Sequence, residues 1–408
     1  MKNTDVLVLG GGASGMMAAI TAARIGSDVT IVEHNDILGK KILSTGNGKC
    51  NFTNKVMDRC FYRGSNPSFT DYALSVFGVD KTLKFFKELG IIPKEKNGYY
   101  YPYSEQASSV AQALREEIRA LRIHVYFDEV KDINNEEGFV IKLSKQEVKA
   151  KKLIIATGLL AGRKTGCDGS AFQYIEKFGH KMVDVVPALV QLKATDSFLK
   201  SVAGIRADVA LRLYVDEKEV FADKGESLFL ADGLSGIVTF QSSRYVSYAL
   251  KENKKVCVSL DLFNEATEDE IYADFKERIK NINAERDIES FLIGLIPDKL
   301  IPVITDRARV RGKSAVTLKD AEIKLVIRVI KDFKIKITGT RDFADAQVCA
   351  GGVALGEIDE KTMESKLVKN LFFAGEVMDI DGMCGGYNLQ WAWSSGYLAG
   401  LNAGKIDA

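Results

Sequence analysis

Histidine is scarce in this chain: there are three among 408 residues, His34, His124 and His180, and no two stand at metal-ligand spacing. No metal site is expected. Cysteine is hardly commoner, and the six present include no C-x-x-C pair, which argues against a disulfide framework and against a zinc site. Reduced core thiols are the simplest reading. An excess of charge of one sign is also missing: 56 basic against 55 acidic residues leave a formal net charge of +1. The electrostatic footprint of a nucleic-acid or membrane-surface binder is therefore absent. No apolar run approaches a membrane span, and Met1 leads directly into the first predicted strand with no room for a leader. The expectation is a cytoplasmic protein with no metal, no nucleic-acid partner and no membrane association.

What is present is an ordinary globular composition, 46% hydrophobic and 27% charged, in a chain long enough for two or three domains. Near its start an apolar run, Asp5-Val-Leu-Val-Leu, breaks into Gly10-Gly-Gly-Ala-Ser-Gly15 and then into the helix-like Met16 to Arg24. Gly10, Gly12 and Gly15 fall on G-x-G-x-x-G, in which the first glycine permits a tight turn, the second lets backbone approach a pyrophosphate, and the third lets helix pack on strand. A second strand, Asp28 to Glu33, ends in an acid 18 residues after Gly15, the position of the carboxylate that binds ribose hydroxyls in dinucleotide folds. A structural turn with a surface Glu33 is the alternative. It is outweighed because strand, turn, helix and acid agree.

After Glu33 the stretch His34 to Asn54 is polar and glycine-punctuated, a functional loop. Thr45-Gly46-Asn47-Gly48 offers backbone N–H groups to a flat ring or a phosphate, while the lysines of this loop read individually as solvated. Asp80 is expected to cap a helix over 81–89 that presents Leu83, Phe86 and Leu89, and Ser104 a helix to Leu121 with the stripe Val110, Leu114, Ile118 and Leu121. Strands joined at Asn134 to Gly138 lead to Lys152-Leu-Ile-Ile-Ala-Thr157-Gly158. A strand ending Ala-Thr-Gly after a β excursion suits an FAD-binding version of the fold, with Gly158 against the cofactor. From Pro187 to about 262 short strands follow, and from Glu265 to Ile335 a charged, helix-like stretch. No second G-x-G-x-x-G occurs there, so a dedicated nicotinamide domain is not expected. Glycine returns at 350–356, and Lys369-Asn-Leu-Phe-Phe-Ala-Gly375-Glu376 repeats the strand, glycine, acid signature. Gly385-Gly386-Tyr387-Asn388 then opens a helix whose N–H groups can face charge developing on a reduced flavin ring.

Taken together, Gly10 to Gly15, Glu33, Gly39 to Asn54, Cys349 to Val353 and Ala374 to Gln390 resemble, in order, the blocks of the bacterial aminoacetone-oxidase and BaiN-like (YhiN-type) FAD-dependent oxidoreductases. The resemblance implies an α/β chain with a glutathione-reductase-like, Rossmann-type FAD-binding domain drawn from both ends of the sequence. The expected ranges are 1–187 with 341–408 for that domain, 188–262 with 332–340 for an inserted β-barrel-like subdomain, and 263–331 for an inserted helical one. Departures from the family lie in the insertion, at Phe229 to Gly236. The expected cofactor-binding set is Gly10, Gly12, Ala13, Ser14, Gly15, Glu33, His34, Lys41, Thr45, Gly46, Asn47, Cys50, Asn51, Val130, Thr157, Gly158, Gly375, Glu376, Asp379, Gly385, Gly386, Tyr387 and Asn388. No acid–base residue stands out. The implied activity is flavin-mediated hydride transfer to or from a small organic substrate, by amine oxidation or enone-type reduction, with NADH or NADPH as transient co-substrate. A flavin-dependent thiol–disulfide reductase would need a C-x-x-x-x-C pair, and Cys50 has no such partner. The remaining alternative is a flavoprotein with an RNA-modifying or FAD-stabilised binding role.

Overall fold

The computed structural model describes residues 2–283 and 286–405; Met1, residues 284–285 and residues 406–408, all inside the expected domain ranges, lie outside them. The chain divides into two compact units, Met1–Pro187 with Phe343–Ala408, and Ala188–Asp342.

In the first unit the apolar runs form a sheet. Its strands are β1 (Lys2–Leu9), β2 (Val29–Glu33), β3 (His124–Phe127), β4 (Val130–Asn135), β5 (Phe139–Leu143), β6 (Glu147–Ile155) and β7 (Leu371–Phe373), ordered β3-β2-β1-β6-β5-β4. The strand β6 changes partner along its length. Glu147 to Ala150 pair antiparallel with β5, whereas Leu153 to Ile155 pair parallel with β7. Residues Val6 to Leu9 and all of β2 are buried, as expected of parallel strands covered on both faces. Helix α1 (Ala13–Arg24) packs on α2 (Tyr387–Ala403). Glycine sets their spacing: a Cβ on Gly396 would lie 2.5 Å from the Ser14 carbonyl oxygen, and one on Gly400 2.3 Å from that of Ala18.

The second unit closes a barrel from Leu192–Ala194, Gly233–Ser235, Lys218–Leu230, Arg206–Val215, Val256–Asp261 and Phe333–Thr340, neighbours in that order. Its helices include Glu268–Lys280, started by a Thr267–Glu270 capping box, and Asp320–Lys331. Barrel residues Leu211, Val258 and Ile335 share one buried cluster with Phe275, Ile304 and Ile330 of the helices.

Two helix starts differ from the sequence expectation. The first helix runs Val79–Glu88 with Gly78 at its N-cap, so Asp80 sits in the first turn and its side chain caps nothing. The buried face is accordingly Thr82, Phe85 and Phe86. The second is Ala107–Ala120 with Gln106 at the N-cap, while the Ser104 hydroxyl pairs with that of Ser109 at 2.9 Å. Both caps are backbone-only, which leaves no side-chain signature to read.

Buried His180 ties two turns together, with Nδ1 3.1 Å from Glu357 Oε2 and Nε2 2.7 Å from Ser365 Oγ. Burial holds its pKa below the ordinary 6.5, against the opposing pull of Glu357. The folded protein thus binds the proton less readily than the unfolded chain does. Stability that is complete above pH 6.5 should fall as the pH drops below that value towards the folded pKa. Urea midpoints between pH 7.5 and 5.5 check this: an unchanged slope in His180→Gln would assign the acid sensitivity elsewhere.

Candidate functional site

The carboxyl ends of three parallel strands meet in register: Leu9 lies opposite Ile155, and Ile155 opposite Phe373. Beyond them the chain turns at Gly10, at Ala156-Thr157-Gly158 and at Ala374-Gly375-Glu376, and a cavity of about 380 Å³ opens there. Ligands of α/β sheets bind at strand carboxyl ends of this kind. Gly10 has φ +100°, and a Cβ on it would be 2.6 Å from the Ala156 carbonyl oxygen. One on Gly15 would be 1.9 Å from the Gly10 carbonyl oxygen. Gly12 is different. It lines the cavity, no atom of the described residues lies within 4 Å of where its Cβ would be, and it precedes α1 with no side chain capping the helix. First-turn N–H groups that no side chain caps, beside an open cradle, suit a pyrophosphate.

Glu33 is 7% exposed and held from two sides. Its Oε2 accepts the Gly11 N–H at 2.7 Å, and its Oε1 accepts from Asn35 N and Nδ2 at 2.8 and 2.7 Å. The carboxylate is thus fixed at the cavity wall. Across the cavity Glu376 Oε2 meets Lys41 Nζ at 2.7 Å, and Oε1 accepts the Cys349 N–H at 2.7 Å. Burial opposes the charge on Lys41, yet Glu376 beside it holds the amine above its ordinary pKa. The sequence reading of a solvated Lys41 is corrected by this pair. Lys49, by contrast, is half exposed and pairs with Glu105 at 3.0 Å.

Of the expected set, Gly10, Gly12, Ala13, Ser14, Glu33, His34, Lys41, Thr45, Val130, Thr157, Gly158, Glu376 and Asn388 line this cavity. Gly15 and Gly375 stand behind it, where a Gly375 Cβ would be 2.5 Å from Ser14 Oγ. Asp379 is buried and accepts the Ser65 N–H at 2.8 Å. Gly46, Asn47, Cys50 and Asn51 belong to a 3₁₀ segment and its exit, in which Asn47 and Cys50 join Gly46 and Gly48 at positive φ. Cys50 is fully buried, and burial pushes its thiol up to about 12, so it is no thiolate at neutral pH. Gly385 and Gly386 form the turn before α2. A Gly386 Cβ would be 2.9 Å from Asn51 Oδ1, a buried acceptor with no partner among the described residues. Asn388 closes the turn by accepting the Gly382 N–H and donating to the Gly382 carbonyl, both at 2.7 Å.

The cradle at Gly12 and the fixed carboxylate of Glu33, both at the cavity wall, fit a dinucleotide. Gly11, Asn35, Cys167 and Cys349 stand outside the expected cofactor-binding set. Asn35 follows Glu33 by two residues, and Cys167 lies in Gly166-Cys-Asp-Gly169, a glycine-bracketed signal that was readable. Among the described residues no group of three His, Cys, Asp or Glu side chains is placed to hold a metal, and no helix is long and apolar enough to cross a membrane.

Comparison with known proteins gives a match of residues 4–402 to the family described as HI0933-like protein Rossmann domain. The chain is 40% identical over 403 residues to a 3-dehydro-bile acid delta(4,6)-reductase of Clostridium scindens, covering 98% of each chain. It is 29% identical over 411 residues to a ribosomal RNA dihydrouridine synthase of Haemophilus influenzae, covering 98% of this chain and 99% of that protein. Among solved structures, a 3-ketosteroid-delta4-(5alpha)-dehydrogenase from Rhodococcus jostii RHA1 aligns with a TM-score of 0.49 at 15% identity, over 99% of this chain and 97% of that one.

Proposed function

On the premise that the chain belongs to the HI0933-like family and is an FAD-dependent oxidoreductase, we propose that it reduces a carbon–carbon double bond conjugated to a carbonyl in a small apolar molecule. The observation that carries this reading is the 40% identity, over 98% of both chains, to a reductase named for a dehydro-bile acid. Bound FAD supplies a carrier that takes up an electron pair and delivers it as hydride. The chain's own residues hold and orient it. Gly12 and the α1 N-terminus take the pyrophosphate, Glu33 the adenosine ribose, Lys41 and Glu376 the middle of the molecule, and the segments 45–51 and 385–388 the ring. We assign this work to residues 1–187 and 341–408, the substrate-specific work to the inserted barrel and helical parts, and the role of electron donor to NADH or NADPH.

A second reading has its own support in the 29% identity to an enzyme named for dihydrouridine in ribosomal RNA. Uracil also carries a double bond conjugated to a carbonyl, so the hydride chemistry is shared and only the recognition differs. The near-neutral chain, at +1, favours the small molecule over a polyanion. The purified protein should be yellow with FAD, be bleached anaerobically by NADH or NADPH, and regain its colour on adding a steroid or cyclic enone with formation of the saturated ketone. A colourless protein that FAD does not reconstitute would sink the cofactor assignment. Reoxidation by uridine-containing ribosomal RNA fragments, with none by enones, would favour the second reading.

A further inference from the structure

Reducing an enone requires more than hydride, because the carbon next to the carbonyl must also receive a proton. That proton needs a donor beside the ring. The strand Tyr99–Pro102 pairs antiparallel with Thr53–Asn54, setting Asn54 opposite Tyr99 and Thr53 opposite Tyr100. With the period of two of a strand, Tyr99 and Tyr101 share one face and Tyr100 takes the other. That face borders both segments assigned to the ring. The Tyr101 ring lies 3.8 Å from where a Gly46 Cβ would be, and the Tyr99 ring 3.1 Å from where a Gly385 Cβ would be. Tyr387 is the third phenol of the group, its Cε2 2.9 Å from the same Gly385 point.

None of the three hydroxyls has a hydrogen-bond partner among the described residues, and none is among the buried orphan atoms, so each opens onto accessible space. They differ in freedom. Tyr387 is 5% exposed, its ring stacked on Phe61 at 4.4 Å and set edge-on to Tyr62 at 6.1 Å. Burial, and then the neighbouring Tyr99 and Cys60, push its hydroxyl up to about 12. Burial raises Tyr101 as well, followed by Tyr99, with Lys49 pulling the other way and Glu105 adding to the rise. Tyr99 neighbours both of the other two phenols and, with Tyr387, the Gly385 turn.

We propose that Tyr99 is the proton donor of the reaction, delivering its hydroxyl proton to the carbon next to the substrate carbonyl. This rests on the enone reading above. As hydride from the bound cofactor forms a C–H bond at the β-carbon, the double-bond electron pair moves towards the carbonyl oxygen. The Oη–H bond of Tyr99 then breaks as a C–H bond forms at the α-carbon, and the tyrosinate regains a proton from solvent. The product is the saturated ketone, and the two electrons consumed are those of the reduced flavin.

The test uses Tyr99→Phe in the full-length holoprotein, with Tyr100→Phe on the opposite face as control. Three readouts are taken: FAD content after purification, equilibrium binding of the saturated ketone from the flavin absorbance shift, and anaerobic reoxidation of the dithionite-reduced protein by a cyclic enone at several pH values in H₂O and D₂O. The expected result is unchanged FAD content, ketone affinity within about twofold, and reoxidation about 10²–10⁴-fold slower, with the solvent isotope effect and the alkaline limb of the pH profile altered. Tyr100→Phe should match the parent chain. If the parent chain is not reoxidised by any enone, the functional reading fails, and the Tyr99 assignment fails with it. If the parent reacts and Tyr99→Phe reacts equally with the same pH profile, only the Tyr99 assignment is overturned. Loss of FAD or of ketone binding in Tyr99→Phe would also overturn it, by making the residue a wall of the site.

Discussion

Gly12→Ala is expected to give a folded protein that has lost its flavin, and Gly15→Ala a chain that has lost flavin and stability together. The two positions lie three residues apart but face different surroundings. At Gly12 the backbone is at φ −77°, open to any residue, and no atom of the described residues lies within 4 Å of the new methyl. Folding stability should change by less than about 0.5 kcal/mol. The methyl would instead fill the cradle assigned to the pyrophosphate, and a misfit of about 1–3 kcal/mol corresponds to roughly 5- to 150-fold weaker FAD binding. At Gly15 the methyl would sit 1.9 Å from the Gly10 carbonyl oxygen, a collision with backbone that only a shift of α1 relieves. A loss of about 3 kcal/mol is expected. Thermal unfolding and FAD titration of the apoproteins separate the two effects. Equal stability in both variants, or unimpaired FAD binding in Gly12→Ala, would refute this division of labour.

Glu376→Gln is expected to weaken FAD binding about 10-fold or more, through the loss of a charge-assisted contact of about 1.5–3 kcal/mol. The lower end of that range applies, since the Glu376 and Lys41 side chains retain 19% and 26% exposure and solvent screens part of their attraction. The substitution keeps an acceptor for the Cys349 N–H while leaving Lys41 without its counter-charge. Lys41→Met should cost less alone than Glu376→Gln does, and the double variant should be no worse than Glu376→Gln, as expected of residues acting as one unit. FAD affinity unchanged in Glu376→Gln would remove this pair from the cofactor site.

Local patterns carried the readable part of the fold. The steric demands on Gly10 and Gly15 and the open position of Gly12 fall within one turn, and Glu33 ends the very next strand, so period and glycine spacing were enough. The Ala156 and Ala374 strand ends were readable for the same reason. The Lys41–Glu376 pair was not, because 335 positions separate the partners and no local preference couples them. Asn47 and Cys50 adopt positive φ in a segment whose composition says only that it is irregular. Tyr99 stands in an aromatic run, Tyr99-Tyr-Tyr-Pro-Tyr103. Its place beside Gly385 depends on pairing with Thr53–Asn54, which two residues of strand do not advertise.

The pairing of β6 with both β5 and β7 has a consequence for the order in which the chain matures during synthesis. When Ile155 emerges from a ribosome, β1, β2 and β6 are available, yet the edge that β7 will occupy stays open until Phe373 has been made. The whole segment from Ala188 to Asp342 is synthesised in that interval. The Gly396 and Gly400 contacts that seat α2 on α1 come later still. A nascent chain therefore carries the glycine turn of a dinucleotide site long before it can retain the dinucleotide, and flavin capture becomes one of the last events in its assembly.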